Sequence, residues 1–381
     1  MYIDSQGGLK EFIQRCDGST VLAIDTEFLR EKTYYPQLCL LQLATENDCV
    51  IVDPLVVKDL SPLRPLLADP EVVKVFHAGD QDRSILYHDV GVIPTPVFDT
   101  QFAAMVLGHS QQLGLAALVK SFTGVALNKG DSYTDWGKRP LTQTQVVYAL
   151  DDVRYLPGIY ATMMERLKKQ NRLSWIEQDF ARMCDRANFE IDPENRWRRV
   201  KHTASLNSRQ LALVKELAAW RERTAQKRDY PRKWVLTDEL IVEIAKREPR
   251  NEEQLYHIRG LREKLGQAWT AEVLAAVACA LRKPEKDLPR RERKARYDAD
   301  CTGALDLMTA LVHLRARQNH VATTLLSSQD DLLRVVTGER EQIPVLEGWR
   351  REVVGSELLE LLKGKIALSL AGNDLVVSKR P

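Results

Sequence analysis

The sequence predicts a mixed α/β domain over residues 1–190, followed by two small domains built of helices alone. Apolar runs typical of strands alternate with helix-like runs up to about residue 110, and the later pattern is helical. The chain becomes polar and basic near residue 190, and again over residues 282–296, between the two helical domains. We therefore expect domains at 1–190, 205–284 and 300–381, with a basic linker over 285–299.

The strand-like segments all lie in the first of these domains, and each ends at a polar or proline-containing break. The runs that we predict as strands are VLAIDTEF, LCLLQLAT, CVIVDP and EVVKVFHA. A helical run, DQDRSILYHDVGV, follows the last of them, and the segment from Leu113 to about Arg186 is helical throughout. Strands followed by helices in this order favour a mixed sheet covered by helices.

The two later segments resemble diverged copies of one helical unit. VLTDELIVEIAKR in the first matches LLSSQDDLLRVVTG in the second, with two aliphatic residues, a Ser/Thr cap, acids and then an apolar face. IRGLRE and LEGWRR follow them in the same order, and AAWRERTAQ and LVHLRARQN precede them. These matches favour an internal repeat, and generic helix-turn-helix similarity is the alternative explanation.

Composition excludes several classes of protein. Of the 381 residues, 44% are hydrophobic and 28% are charged, as in soluble globular proteins. No apolar run approaches the roughly 18–20 residues of a membrane span, and the N-terminus does not resemble a signal peptide. The six cysteines form no CxxC pair and are expected as reduced thiols, so we predict a cytoplasmic protein without membrane partners.

Charge is divided unevenly along the chain. Residues 1–190 hold 19 Lys/Arg and 25 Asp/Glu, a net charge of −6, while residues 191–381 hold 36 and 28, a net of +8. This division suits a carboxylate metal site joined to modules that bind a polyanion. Chance variation of solvated surface charge explains it about equally well.

Asp25 and Glu27 stand at the end of an apolar strand-like run. Side chains at i and i+2 of a strand point the same way and lie about 6–7 Å apart. Two carboxylates so placed can bind hard divalent cations, which prefer oxygen ligands. A pair of acids like this is also common at solvated strand ends.

Three further residues complete an ordered set. Asp82 lies in FHAGDQD, in the first turn of a helix after a strand, where an acid also complements the helix dipole. Tyr148 and Asp152 are four residues apart in a long helical pattern, so they share one helix face. Their neighbour Asp151 points about 100° away and is expected to be exposed.

Four motifs carry a resemblance to one protein family: DTEF, HAG-x-x-D, DWxxRPLT and YAxxDV. In these motifs residues 1–190 resemble the ribonuclease D family, from the tyrosine-bearing branch of the DEDD exonucleases. The histidine-bearing branch would place its histidine where Val147 stands.

The resemblance implies a ribonuclease H-like exonuclease domain, with 205–284 as an HRDC domain and 300–381 as a second, diverged HRDC-like domain. It implies a 3′→5′ exoribonuclease that releases nucleoside 5′-monophosphates with two Mg²⁺ or Mn²⁺ ions. The implied partner is RNA with a free 3′ end, first of all transfer-RNA precursors during 3′ maturation. We expect a monomer without a nucleotide cofactor.

The two-metal chemistry that the resemblance implies gives each residue a role. Asp25 is expected to bridge the two ions, with Glu27 and Asp152 holding the ion that activates water. Asp82 is expected to support the second ion, and Tyr148 to orient the attacking water.

Substrate contacts are expected at Thr26, His77, Lys129 and Arg139. The chain departs from the family pattern before DW, because Lys129 is followed by glycine instead of serine and Tyr133 stands where a basic residue is expected. These departures affect only the contacts with substrate.

Two alternatives remain open at the level of sequence. The same carboxylates serve DNA-directed 3′→5′ exonucleases, and no residue pattern reads the 2′-hydroxyl of RNA. A non-catalytic nucleic-acid-binding protein is the other, although it would be expected to lack one of the acids. An oxidoreductase is excluded because no GxGxxG follows a strand, and a helicase motor because no GxxxxGK[ST] occurs.

Overall fold

The computed structural model of the chain describes residues 1–109, 112–127, 134–290 and 301–380. The chain separates into two compact units. The first unit joins Met1–Glu27 and Leu38–Arg186 to the C-terminal segment, and the second joins Phe28–Gln37 to the helical segment that begins at Ala187.

A six-stranded mixed sheet forms the centre of the first unit, in the order β1-β4-β3-β2-β5-β6. Neighbours β1 and β4, β2 and β5, and β5 and β6 are parallel, whereas β3 and β4 are antiparallel. The predicted mixed sheet is therefore confirmed. The strands are β1 (Tyr2–Ile3), β2 (Val21–Leu29), β3 (Gln37–Ala44), β4 (Cys49–Val52), β5 (Val73–Phe76) and β6 (Val97–Asp99).

Helices surround this sheet because its inner strands are apolar on both faces. In β3 every residue after Gln37 is buried, which is typical of a strand covered on both sides. The helices of this part are α1 (Gln6–Arg15), α2 (Arg64–Ala68), α3 (Asp80–Asp89), α4 (Thr100–Val106), α5 (Leu115–Thr123), α6 (Gln143–Arg154), α7 (Leu156–Lys169) and α8 (Leu173–Met183).

Local sequence determines where two of the site-bearing helices begin. Helix α6 starts at a capping box in which Thr142 and Gln145 exchange side-chain and backbone hydrogen bonds. Helix α3 starts at Gly79, whose backbone N–H donates to Asp99 Oδ2 at 3.0 Å. A side chain at Gly79 would place its Cβ 2.5 Å from Cβ of Phe76, so this close approach requires glycine.

The second unit contains the first helical module. Its core is formed by apolar residues of the long helix α9 and of the shorter helices packed on it, including Leu213, Val235, Ile241 and Val273. Thr237 caps α11 through its side chain, as the sequence predicts. The helices are α9 (Ser208–Arg228), α10 (Arg232–Val235), α11 (Asp238–Arg247), α12 (Glu252–Tyr256), α13 (Leu261–Lys264) and α14 (Gln267–Leu281).

The C-terminal segment repeats the order of long helix, short helix and capped helix. Gly260 and Gly348, which the repeat aligns, both have positive φ, 86° and 49°. A π-helical stretch, Arg351–Gly355, joins the last two helices. The helices are α15 (Thr302–Gln318), α16 (Thr323–Leu326), α17 (Gln329–Val336), α18 (Gly348–Arg350) and α19 (Ser356–Leu362).

The expectation of helices alone after residue 190 is wrong at the end of the chain. Strands β7 (Ile366–Ala371) and β8 (Asp374–Lys379) pair antiparallel around a two-residue turn. Gly372 in that turn has φ 64°, and Gly-Asn is a turn sequence that matches strand twist. The segment IALSLAGNDLVVSK is only partly alternating and follows a strong helix, which explains why its strands were missed.

The C-terminal segment packs on α8 within the first unit. Trp349 stacks on Trp175 with ring centroids 4.5 Å apart and planes 5° from parallel. The guanidinium of Arg350 binds both carboxylate oxygens of Asp179, at 3.1 and 3.0 Å, and also donates to the carbonyl of Leu325. The turn Gly348-Trp349-Arg350, which the repeat aligns with Gly260-Leu261-Arg262, thus lies in a buried contact.

Among the described residues, no helix is both long enough and apolar enough to span a membrane.

Candidate active site

Three of the predicted acids meet at one point of the first unit. Asp25 lies at the middle of β2 and Glu27 two residues further along it, and Asp152 lies in the last turn of α6. One carboxylate oxygen from each lies within 4.8 Å of the others. A triplet of oxygen ligands at this separation is suited to a hard divalent cation.

Asp82 is buried beside this triplet. It lies in the first turn of α3. Its carboxylate accepts hydrogen bonds from the hydroxyl of Thr26 and from the backbone N–H of Asp82 itself. Its negative charge raises the pKa of Asp25, Glu27 and Asp152. Asp82 therefore belongs to the same electrostatic cluster, although it is not one of the three acids within 4.8 Å of one another.

Burial and mutual repulsion make these carboxylates costly to ionise. Burial, followed by the charges of Asp152 and Asp82, raises the pKa of Glu27 to about 8. Burial and neighbouring acids raise the pKa of Asp152 to about 7, and that of Asp25 well above its ordinary value. None of the three forms a salt bridge with Lys or Arg in the described residues, and a bound divalent cation would supply the missing positive charge.

Tyr148 lies one helical turn before Asp152, as the spacing predicts. Its ring packs near the buried Trp136, with centroids 6.0 Å apart. Burial and the charges of Asp152, Glu27 and Asp25 raise the pKa of its hydroxyl, which therefore stays neutral and can donate a hydrogen bond. The neighbouring Asp151 is half-buried, contrary to expectation, and pairs with Arg154 at 3.3 Å.

The predicted substrate contacts occupy different environments. Thr26 is 5% exposed, and its hydroxyl is bonded to Asp82. His77 is half-buried, with Nδ1 2.9 Å from Oγ1 of Thr100. Lys129 lies outside the described residues.

Arg139 is engaged inside the protein. Its guanidinium binds both oxygens of Asp53, at 2.6 and 2.8 Å, and donates to the carbonyls of Trp136 and Cys39. Tyr2 also donates its hydroxyl to Asp53. These bonds engage the guanidinium of Arg139 with Asp53 and with backbone carbonyls, and a contact between Arg139 and substrate stays a prediction.

Asp53 and Trp136 are not predicted as site residues from the sequence. Asp53 directly follows the strand CVIV, and a buried acid after a strand is the signal that points to it. Trp136 is 3% exposed beside Tyr148, and it was noticed only as part of the DWxxRPLT motif.

Two family models match this chain. A family model described as 3′-5′ exonuclease matches residues 1–168, and one described as HRDC domain matches residues 210–277. The fold and the carboxylate site together define a hydrolytic nuclease of the 3′-5′ exonuclease class.

Relatives extend the similarity to nearly the whole chain. Ribonuclease D of Sphingobium indicum is 39% identical over 380 residues, which is 97% of this chain and 96% of the relative. Ribonuclease D of Acidiphilium cryptum is 38% identical over 381 residues, covering 100% and 97%. The crystal structure of Escherichia coli RNase D, described as an exoribonuclease involved in structured RNA processing, superposes with a TM-score of 0.84 at 30% identity, covering 96% and 98%. The chain belongs to the ribonuclease D family.

Proposed function

We propose that this protein removes nucleotides from the 3′ end of RNA at the site formed by Asp25, Glu27 and Asp152. As a member of the ribonuclease D family, the protein is a 3′→5′ exoribonuclease. The observation that carries the site is the meeting of three carboxylates within 4.8 Å on two separate elements. The products we propose are nucleoside 5′-monophosphates.

The residues present fit divalent cations, and we propose two Mg²⁺ or Mn²⁺ ions. Asp25, Glu27 and Asp152 would hold one ion, with Asp25 shared with a second ion near Asp82. When bound, such ions provide a nucleophile at neutral pH and neutralise charge on the attacking and leaving oxygens. The raised pKa values of the acids support this proposal, because a bound cation offsets both the burial and the mutual repulsion that raise them.

The protein's own side chains have more limited tasks. Tyr148 would orient the attacking water by donating its neutral hydroxyl, and its raised pKa argues against a role as general base. Thr26 would keep Asp82 in place through its hydrogen bond, which we favour over direct substrate contact. His77, half-buried on the segment before α3, and Lys129 remain our proposed contacts to RNA.

The first helical module offers a surface suited to RNA. Tyr230 and Trp234 are 45% and 44% exposed, with ring centroids 6.4 Å apart. Lys227, Arg228 and Lys233 are exposed near them in the chain. Aromatic faces and free cations bind bases and phosphates respectively, so we propose that this module binds single-stranded RNA.

Transfer-RNA precursors with a free 3′ end are the substrate class that we propose first. We further propose that the protein acts in the cytoplasm as a monomer, with the three-domain division 1–190, 205–284 and 300–381. These statements follow the family and the charge division of the chain.

Matched single-stranded RNA and DNA of one sequence test the substrate. We expect faster shortening of the RNA from its 3′ end with Mg²⁺ or Mn²⁺, and no shortening of either strand in EDTA. A preference for DNA would contradict the ribonuclease assignment, and activity in EDTA would contradict the metal site.

A further inference from the structure

The loop that follows the catalytic strand belongs to the second unit. Strand β2 carries Asp25 and Glu27, yet the chain passes into the second unit at Phe28 and returns at Leu38. On one side, β2 pairs with β5 only over Val21–Ala23, and on the other side its neighbour is β3, which begins at Gln37 after the loop. Glu27 therefore lies four residues beyond the last residue of β2 that pairs with β5. The contacts that hold the loop Phe28–Gln37 thus affect the position of Glu27.

Tyr34 anchors this loop in the first helical module. It is 8% exposed, and its hydroxyl donates to the carboxylate of Glu222, whose side chain is 1% exposed. Arg232 binds both oxygens of Glu222, at 2.6 and 2.8 Å, and its guanidinium lies 4.8 Å from the centroid of the Tyr34 ring. Gln226 donates to the same hydroxyl at 3.2 Å.

Asp229 holds the backbone of the loop. Its Oδ1 accepts from the backbone N–H groups of Tyr34 and Tyr35, at 2.9 and 3.0 Å. Asp229 is the residue at which helix α9 ends, and it has φ 51°, a left-handed backbone conformation. We call Tyr34, Glu222, Asp229 and Arg232 the Tyr34 anchor.

Stability alone does not account for these bonds. An ion pair with a buried member, such as Glu222–Arg232 with its buried carboxylate, is weak evidence of a gain in stability, whereas its directional bonds fix one geometry. Between the end of β2 at Leu29 and Tyr34 only four residues intervene. A shift of the anchored loop would thus pass along a short segment to Glu27.

We propose that the Tyr34 anchor is a positioning device for Glu27, by which the first helical module holds the loop that continues the catalytic strand. This inference rests on the function proposed above. It assigns the module a part in hydrolysis itself, in addition to any binding of RNA, and the effect extends to substrates too short to reach the module.

The test uses paired variants of the full chain. Asp229→Gly keeps the left-handed backbone at the end of α9 but removes the side-chain oxygen that accepts from the loop. Asp229→Asn keeps both the left-handed backbone and a side-chain oxygen acceptor. Tyr34→Phe removes one hydroxyl within the same packing. Arg223→Ala is the matched control. Arg223 lies in α9, the helix that Asp229 ends, and its substitution removes an ion pair with Glu194. Both side chains of that pair are about half exposed.

Two quantities are measured: turnover of the dinucleotide pApA with Mn²⁺, and affinity for Mn²⁺ without RNA by electron paramagnetic resonance. We expect Asp229→Gly and Tyr34→Phe to lower kcat about tenfold with KM nearly unchanged, because small displacements of catalytic groups have large effects on rate. Both variants should also bind Mn²⁺ more weakly, and Asp229→Asn and Arg223→Ala should resemble the wild type.

Wild-type kcat and Mn²⁺ affinity in both Asp229→Gly and Tyr34→Phe would overturn the proposal. Circular dichroism melting verifies that each variant is folded, and should Tyr34→Phe be unfolded, the Asp229 pair decides. If pApA is not turned over, the Mn²⁺ affinities decide. A wild-type protein that hydrolyses neither pApA nor longer RNA would instead contradict the proposed function.

Discussion

Asp152 offers a carboxylate oxygen within 4.8 Å of those of two other acids, so its negative charge opposes folding, while in the proposed site the same charge would help to bind metal. At pH 8.5, above its pKa of about 7, Asp152→Asn removes one of these like charges. We expect the variant in EDTA to be more stable than the wild type by roughly 0.5–2 kcal/mol, as at other sites where function and stability conflict.

The same variant should lose what the charge provides. Mn²⁺ should raise the melting temperature of the wild type but leave that of Asp152→Asn nearly unchanged, and turnover should fall below detection. Asp151→Asn is the control, because Asp151 lies next in the chain and pairs with Arg154. Wild-type turnover by Asp152→Asn would remove Asp152 from the site.

The hydroxyl of Thr26 donates a hydrogen bond to the carboxylate of Asp82. Thr26→Val keeps the shape but leaves the buried carboxylate without that donor, at a cost of about 1–3 kcal/mol for the unmet bond. We expect a lower kcat from Thr26→Val and recovery of most of it in Thr26→Ser, measured by steady-state kinetics on single-stranded RNA. Equal rates in the two variants would show that the hydroxyl is not needed.

Among elements, helix α3 depends on the glycine that precedes it. Gly79→Ala would place a Cβ 2.5 Å from Cβ of Phe76, and overpacking of this kind costs about 1–3 kcal/mol. We expect a lower melting temperature together with lower activity, because Asp82 moves with α3.

Gly158→Ala is the matched control for that substitution. Gly158 lies in helix α7, and a Cβ there would meet nothing within 4 Å. Alanine in a helix is favoured over glycine by roughly 0.5–1 kcal/mol, so this variant should be slightly more stable. If thermal unfolding showed Gly79→Ala to be as stable as the wild type, the close approach to Phe76 would not be a constraint.

The elements also show what sequence patterns reveal. Continuous apolar runs of four to eight residues fit a sheet that is covered on both faces, and the four runs predicted as strands do contain strands. They are VLAIDTEF, LCLLQLAT, CVIVDP and EVVKVFHA. The sequence predicts that Tyr148 and Asp152 lie on one helix face, because residues four apart in a helix are one turn apart. The hairpin at the C-terminus was not readable, since short strands depend on their pairing partner more than on propensity.

Side-chain partners were the least predictable part of the site. Nothing in the sequence near Arg139 indicates that Asp53, 86 residues away, occupies its guanidinium. The link from Thr26 to Asp82 likewise spans 56 residues and follows from β2 and α3 meeting in the fold. Such contacts arise from tertiary packing, which local patterns do not specify.

For the whole molecule, the contact between the C-terminal segment and α8 depends on Trp349. Its ring stacks on Trp175 and is 5% exposed, and truncation of a buried tryptophan costs about 3–5 kcal/mol. We expect Trp349→Ala to speed hydrogen exchange in α15–α19 more than in the sheet. Leu370→Ser, at a side chain that is 73% exposed, is the control and should leave exchange unchanged. Uniform protection in Trp349→Ala would show that the stack does not hold the segment.

We propose that the carboxylate cluster hydrolyses RNA from its 3′ end with divalent metal. The most direct measurement follows RNA that carries ³²P only in its last phosphodiester, with Mg²⁺, with EDTA, and with Asp152→Asn. We predict that Mg²⁺ releases the label as nucleoside 5′-monophosphate from the first time point, and that EDTA and Asp152→Asn abolish this release. Release in EDTA, or label recovered as a 3′-phosphate, would contradict the account.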